Sequence, residues 1–247
     1  FKNILLPIIT ILCLDLPSLI SGSYIIEYIF SKPYIQLLAH DVVASPHQKD
    51  MMFSMLDACL SGQPLAYVLG SADFNGRSYF IQPGVLIPRP ETELLIDPIV
   101  KIFKSKNLFF LDAGVGTGCI TFSILKELKH SRGIGIDISN KTLINARINL
   151  KKFKNRVKLL RKSIDDIRNI KFDMIVSNPP YVIKRDIKRL SPDIKKFEPR
   201  IALDGGNDGL DVIKKVIYKS KYILKSNGIL ALEVGYGQYN SVEKFLK

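Results

Sequence analysis

The chain has 247 residues, of which 47% are apolar, enough for a packed core in one large domain or two unequal ones. Three scattered cysteines, Cys13, Cys59 and Cys119, exclude a disulfide framework and a cysteine-based zinc cluster and fit a reducing compartment. The net charge of +13 is unevenly spread: residues 1–100 hold 5 Lys/Arg against 9 Asp/Glu (−4), and residues 101–247 hold 31 against 14 (+17). Such a basic half has two readings, an AT-rich genome that favours lysine or an anionic partner such as nucleic acid or an acidic protein.

The first apolar run, Ile4 to Leu14, is interrupted by Pro7 and too short to span a bilayer. No small-residue cleavage site follows it, so it reads as a buried first helix rather than a signal peptide. The chain opens on Phe1 rather than Met, so its natural start is expected upstream. From Leu14 to Gly70 the pattern is helical, with apolar spacings of three and four over Tyr24–Leu38 and Asp50–Leu60 and a break at Ser31-Lys32-Pro33. Met51, Met52 and Met55 read as core filler. Residues 1–70 are therefore expected to form a small helical domain.

Residues 71–90 change character. Phe74 to Arg77 looks like a turn, and Ser78–Ile81 and Val85–Ile87 look like two short strands around Gln82-Pro83-Gly84, which predicts a β-hairpin linker. A helix is expected over Glu91–Lys104, with Arg89 and Glu93 forming a surface pair of little weight.

From residue 107 onward strands and helices alternate. Strands are expected at 108–112, 133–137, 157–160, 172–177 and 228–234, and helices at 119–129, 140–151, 209–223 and from about 238. This alternation predicts an α/β domain over 91–247 with a parallel sheet covered on both faces. In such sheets ligands bind beyond the carboxyl ends of the strands. Three signals fall there. Gly114-Val115-Gly116-Thr117-Gly118 follows the first strand and opens a helix, a nucleotide-type turn with Cys119 where the dinucleotide fingerprint has glycine or alanine. Asp137 ends the second strand, where a carboxylate can accept both hydroxyls of a ribose. Asp112 has two readings, a cap on the turn or a cofactor contact. Asn178-Pro179-Pro180-Tyr181 ends the fourth strand. Two prolines fix φ and remove two backbone donors, and the residue before a proline is held extended. The result is a rigid set of acceptors beside an aromatic ring, suited to a planar NH2 group. His40, His47 and His130 lack ligand spacing, so no metal is expected. Asp165 and Asp166 are expected to begin a helix or loop, and Glu233 carries no assigned role.

Glycine turn, strand-end acid and Asn-Pro-Pro-Tyr, in that order, resemble a class I S-adenosylmethionine-dependent methyltransferase with a Rossmann-like fold. The resemblance narrows on Gln63 to Gly70, on Ile87-Pro88-Arg89-Pro90-Glu91-Thr92-Glu93, on Phe197-Glu198-Pro199-Arg200 and on Asp204 to Gly209. With the helical N-terminal domain, these stretches are similar to the release factor glutamine methyltransferases. The resemblance implies a cytoplasmic enzyme that methylates the glutamine of the Gly-Gly-Gln loop in class I peptide chain release factors, and no membrane association. It implies S-adenosylmethionine held by Gly114 to Gly118, Asp137, Ile164 and Asn178, and catalysis by Asn178, Pro179, Pro180 and Tyr181. RNA contact through the basic half stays open. Rival readings are an adenine N6 methyltransferase of nucleic acid and a truncated, cofactor-binding relic. Two departures stand out. Ser163 and Ile164 replace the family's acid and aromatic beside adenine. The chain also stops before the family's last two strands, which leaves the strand at 228–234 as an exposed edge and is expected to reflect either trimming at both ends or a decayed copy.

Overall fold

The computed structural model describes residues 16–39 and 42–246. The expected first helix at Ile4–Leu14, Cys13 and His40 lie outside the described residues. The chain divides into two compact units, Phe1–Gly70 and Ser71–Lys247.

The N-terminal unit contains α1 (Leu16–Phe30), α2 (Tyr34–Leu38), α3 (Pro46–Leu60) and α4 (Leu65–Leu69). Pro33 separates α1 from α2, because proline cannot donate to the preceding turn. A capping box opens α3: the Ser45 hydroxyl accepts from the Gln48 amide at 3.2 Å, and Gln48 Oε1 accepts from the Ser45 amide at 2.9 Å. Ile25, Ile26, Leu37, Met52 and Leu56 form the core of this unit, with Met55 packed at its margin.

In the C-terminal unit the hairpin is real but lies earlier than its sequence suggests. Its strands are β1 (Ser71–Phe74) and β2 (Arg77–Phe80), paired antiparallel around Asn75-Gly76. Asn75 and Gly76 have φ of 49° and 67°, the left-handed pair that a two-residue hairpin turn requires. Val85–Ile87 forms no strand. The hairpin is also no linker, since Phe74 and Tyr79 are buried in the unit's core and Tyr79 stacks on Phe122.

A 3₁₀ helix at Pro90–Leu95 leads into α5 (Ile96–Phe103). Beyond it come β3 (Phe109–Ala113), α6 (Cys119–Glu127), β4 (Arg132–Asp137), α7 (Asn140–Asn149), β5 (Val157–Arg161), β6 (Phe172–Ser177), α8 (Pro192–Phe197), α9 (Asp211–Ile223), β7 (Leu224–Leu232) and α10 (Tyr239–Leu246). The five strands β3 to β7 pair in parallel in the order β5-β4-β3-β6-β7. The strand expected at 228–234 begins at Leu224, and α8 has no counterpart in the sequence expectation. Asp165 and Asp166 lie in a 3₁₀ turn at Ile164–Asp166. Among the described residues β7 pairs only with β6, so it is an edge of the sheet.

Alternate residues of the central strands enter opposite cores. Phe110, Met174 and Val176 pack with Phe122, Leu125, Ile96 and Ile99 on one side. Leu111 and Ile175 pack with Ile136, Phe172, Val216 and Ile223 on the other. A parallel sheet buried on both faces therefore needs near-continuous apolar runs, which β3 and β6 supply. Asp112 is the exception. It is fully buried, accepts from the Thr121 hydroxyl at 2.6 Å through Oδ2, and leaves Oδ1 with no partner. It neither caps the glycine turn through backbone amides nor opens onto the ligand crevice, because its side chain turns under α6. No helix among the described residues is long and apolar enough to cross a membrane.

Three substitutions test this packing. Gly118 has φ of 84°, and an added Cβ would sit 2.4 Å from the Phe122 ring, whereas Gly76, with φ of 67°, has open space around it. Gly118→Ala should cost about 2–4 kcal/mol from strain and overpacking together, against about 1 kcal/mol for Gly76→Ala, read from urea unfolding. Burial pushes the Asp112 carboxyl up to about 7. The neutral form is thus the one the fold favours. Its stabilising effect is complete below the ordinary aspartate value near 4 and is lost as pH rises through about 7. Asp112→Asn should raise the thermal midpoint at pH 8 by about 2–4 °C for each kcal/mol recovered, and this gain should shrink steadily as pH falls toward 4.

Candidate active site

The carboxyl ends of β3, β4 and β6 lie side by side, and each presents one of the segments singled out in the sequence. Beyond β3 the chain turns through three glycines with positive φ, at 81° for Gly114, 56° for Gly116 and 84° for Gly118. The amides of Gly114 and Val115 both donate to the Ile136 carbonyl at 2.9 Å, which ties this turn to the end of β4. The Asp137 carboxylate accepts from the Ser139 amide at 2.9 Å and more weakly from the Gly116 amide at 3.4 Å. Burial raises its pKa, and these amide donors lower it.

Gly114, Gly116, Asp137, Ile164, Asn178, Pro179 and Pro180 line one cavity of about 550 Å³. A Cβ on Gly114 would point toward the Asn178 carbonyl, so the turn after β3 and the turn after β6 face one another. Lys162, Ser163 and Ile164 form one wall. The Ser163 hydroxyl is used locally: it accepts from the Asp165 amide, while Asp166 accepts from the Ser163 amide. Ile164 is 7% exposed and anchored in the core, so it presents an apolar surface to the cavity. Arg200 and Lys215 add positive charge to the cavity lining. Val115, Thr117, Gly118 and Tyr181 are not among the residues that line the cavity. Val115 packs on Leu143 and Ala146, and Thr117 is 2% exposed.

Asn178 is held at its amide end. Its Nδ2 donates to Thr92 Oγ1 at 3.0 Å, and Thr92 in turn donates to Glu233 Oε2 at 2.6 Å. Glu233 follows β7, and its backbone amide donates to the Ser177 carbonyl at 3.0 Å. Burial raises the Glu233 pKa, opposed by hydrogen bonds from Thr92, Tyr181 and Asn178. Burial next to Glu233 raises the Tyr181 phenol. The Tyr181 carbonyl accepts from Gln238 Nε2 at 3.0 Å. Behind this loop, Gly205 and Gly209 let the Asp204–Gly209 segment approach the backbone of Pro180 and Tyr181. A Cβ on either would lie 2.8 Å or less from those carbonyls.

Arg89 and Glu93 do not pair with each other. Arg89 Nη2 donates to Glu198 Oε1 at 2.6 Å, and the Ile87 amide donates to Glu198 Oε2 at 3.3 Å. The Glu198 side chain is 1% exposed. Glu93 instead accepts from the Asn75 amide at 2.9 Å. The expected surface pair is replaced by a buried one because a carboxylate this far from water must find a fixed cation and donors. Both segments of the Ile87–Glu93 and Phe197–Arg200 resemblance thus meet at one ion pair. Sequence reasoning missed Thr92 and Glu233. Their only signal was a strand-end acid at 233 and a hydroxyl inside the Pro-Arg-Pro-Glu-Thr-Glu segment.

A family model described as the methyltransferase small domain matches residues 90–192. Three release factor glutamine methyltransferases, from Geobacter sulfurreducens, Clostridium acetobutylicum and Thermodesulfovibrio yellowstonii, are 36%, 33% and 34% identical to this chain. The matches cover 73%, 90% and 89% of this chain and 63%, 81% and 80% of those proteins, so the chain spans less than two thirds of the first and about four fifths of the others. Among solved structures, a methyltransferase from Pyrococcus furiosus aligns with a TM-score of 0.52 at 15% identity, over 82% of this chain and 86% of its own. A T. thermophilus 16S rRNA N2 G1207 methyltransferase in complex with AdoMet and guanosine aligns at 0.51 and 19%, over 70% and 43%. These two share the fold. On these sequence relatives, this chain belongs to the release factor glutamine methyltransferases.

Proposed function

We propose that the chain is a protein-(glutamine-N5) methyltransferase. Its substrate is the glutamine of the Gly-Gly-Gln loop of class I peptide chain release factors, and its methyl donor is S-adenosylmethionine. The observation that carries this reading is Asn178, anchored through Nδ2 with Oδ1 left as an acceptor, at the rim of the cavity that also contains Gly114, Gly116 and Asp137. That cavity suits the cofactor. Side-chain-free backbone at Gly114 and Gly116 leaves room for close approach, Asp137 offers a carboxylate to a ribose, and Ile164 offers an apolar wall to a base.

When bound, S-adenosylmethionine supplies an electrophilic methyl group on a sulfonium centre. Asn178 Oδ1 and the Pro179 carbonyl accept the two hydrogens of the substrate amide. An amide nitrogen is a poor nucleophile because its lone pair is delocalised into the carbonyl. Two oriented acceptors return electron density to nitrogen and fix its direction, so the chain catalyses by position and electrostatics without a titrating base. The prolines serve this by rigidity and by leaving no local N–H to compete for those oxygens. Tyr181 packs beside the amide plane. The substrate nitrogen gains the methyl carbon as that carbon's bond to sulfur breaks, S-adenosylhomocysteine departs as the neutral thioether, and one of the two N–H protons is released to solvent, so that the product is N5-methylglutamine. The work belongs in the cytoplasm, where peptide release takes place.

Mass spectrometry of a release factor incubated with the chain and cofactor should show one added methyl on the loop glutamine. Asn178→Ala should lower the rate on the order of 10²-fold, a loss that persists at saturating S-adenosylmethionine. A rate within a few-fold of wild type would mean the amide is not held this way. An adenine-containing oligonucleotide in a parallel reaction tests the nucleic-acid reading.

We extend the proposal to RNA at one surface. Lys184, Arg185, Lys188, Arg189, Lys195 and Lys196 lie on the segment that follows Tyr181, all of them exposed. The acids interspersed there are partly neutralised, since Asp186 takes Arg189 at 3.0 Å and Glu198 is buried on Arg89. Such a surface suits a phosphate backbone. Replacing Lys188 and Lys196 together by Glu should weaken binding of single-stranded RNA about tenfold at low salt, and the salt slope should flatten by about 0.7 for each phosphate no longer neutralised. Unchanged binding would remove RNA from the reading.

A further inference from the structure

Thr92 Oγ1 stands between a carboxylate and an amide, and it has one proton to give. Glu233 Oε2 lies 2.6 Å away, and an ionised carboxylate only accepts. The Thr92 proton is therefore committed to Glu233, and toward Asn178 the hydroxyl offers a lone pair. That lone pair takes the Nδ2 proton at 3.0 Å. The ionised Glu233 carboxylate, through Thr92 and through its own hydrogen bond from Asn178, thus selects one of the two orientations of the Asn178 amide. In the flipped orientation Oδ1 would meet Thr92 Oγ1 as two acceptors with no proton between them. The Asn178 NH2 would then face the NH2 of the substrate, donor against donor.

We propose that Glu233 and Thr92 are positioning residues that lock the Asn178 amide with its oxygen toward the reacting nitrogen, an inference that rests on the glutamine methylation proposed above. Three elements bring the lock together. Thr92 comes from the 3₁₀ helix at Pro90–Leu95, Asn178 from the end of β6, and Glu233 from the end of β7. The hydrogen bond from the Glu233 amide to the Ser177 carbonyl holds the last two in register. Thr92 is 2% exposed, so water does not compete for its proton.

The lock has a pH dependence. Charged and titratable groups facing Glu233 are Glu91 from the same helix as Thr92 and Tyr181 after β6, with Arg89 beside Tyr181. Burial, with Glu91 assisting, holds the Glu233 carboxyl above the ordinary glutamate range. Once protonated, Glu233 donates to Thr92, which frees the Thr92 proton to turn toward Asn178 and removes the preference for the active orientation. Activity is therefore carried by the ionised form, and it falls as pH drops through the raised Glu233 value.

The test compares wild type, Thr92→Val, Thr92→Ser and Glu233→Gln in methyl transfer to a release factor, with S-adenosylhomocysteine affinity measured by calorimetry. Thr92→Val should lower kcat at least tenfold with cofactor affinity unchanged within twofold, and Thr92→Ser should recover most of the loss. Glu233→Gln, whose side chain can both donate and accept, should lower kcat and remove the acid limb of the pH profile. If wild type methylates the glutamine and Thr92→Val does so at the same kcat, the lock is wrong. Should Thr92→Val fail to fold, an acid limb that persists in Glu233→Gln overturns it instead. Wild type that leaves the glutamine unmethylated overturns the reaction itself, and the lock falls with it.

Discussion

The site depends on how the central strand ends. β3 lies between β4 and β6 in a fully parallel ladder, so its last carbonyls and the first amides beyond it would be unpaired where the sheet stops. They are taken up across the strands. Ile136 accepts two amides from the glycine turn, Ser177 donates its hydroxyl to the Ala113 carbonyl, and the Glu233 amide closes onto Ser177. Buried backbone groups must find partners. Meeting that requirement here ties four strand ends into one rim, and the glycine turn, Asp137 and Asn178 inherit their positions from it.

Much of this is legible in the residues. β6 can be read at its full extent, 172–177, because the apolar run between Lys171 and Pro179 has sharp boundaries and proline forbids continuation. The glycine turn is readable because only glycine accepts three left-handed positions so close together. The hairpin is misplaced by its sequence because Gln82-Pro83-Gly84 resembles a turn as strongly as Asn75-Gly76 does. Local chemistry does not tell that Phe74 and Tyr79 find a core to enter. The start of β7 is hidden for a related reason: Lys225, Ser226 and Asn227 have poor strand propensity, and they fall in a register shift between the pairs Phe172–Leu224 and Met174–Ile229, so β6 pairs with β7 on either side of them.

Polar partnerships are the least legible part of the site. Nothing local distinguishes Glu198, which is buried on Arg89, from the exposed charges around it. Thr92 and Glu233 are 141 residues apart, and their bond exists only because the turn before α5 returns over the end of β7. The resemblance marks the Ile87–Glu93 segment as informative and is silent on which atoms meet. Packing periodicity is written along the chain, whereas hydrogen-bond polarity belongs to places where distant segments cross.

The Arg89–Glu198 pair has a consequence for how such a chain can change. Glu198 has almost no access to solvent, so a neutral residue at 89 would strand a bare carboxylate in a poorly polarisable interior, and a neutral residue at 198 would leave the guanidinium with its main partner gone. Divergence at these two positions must then be concerted or forbidden. A gene fusion that took residues up to 89 from one relative and residues from 198 onward from another would join compatible scaffolds and still fail, unless both parents had kept the same bargain of charge.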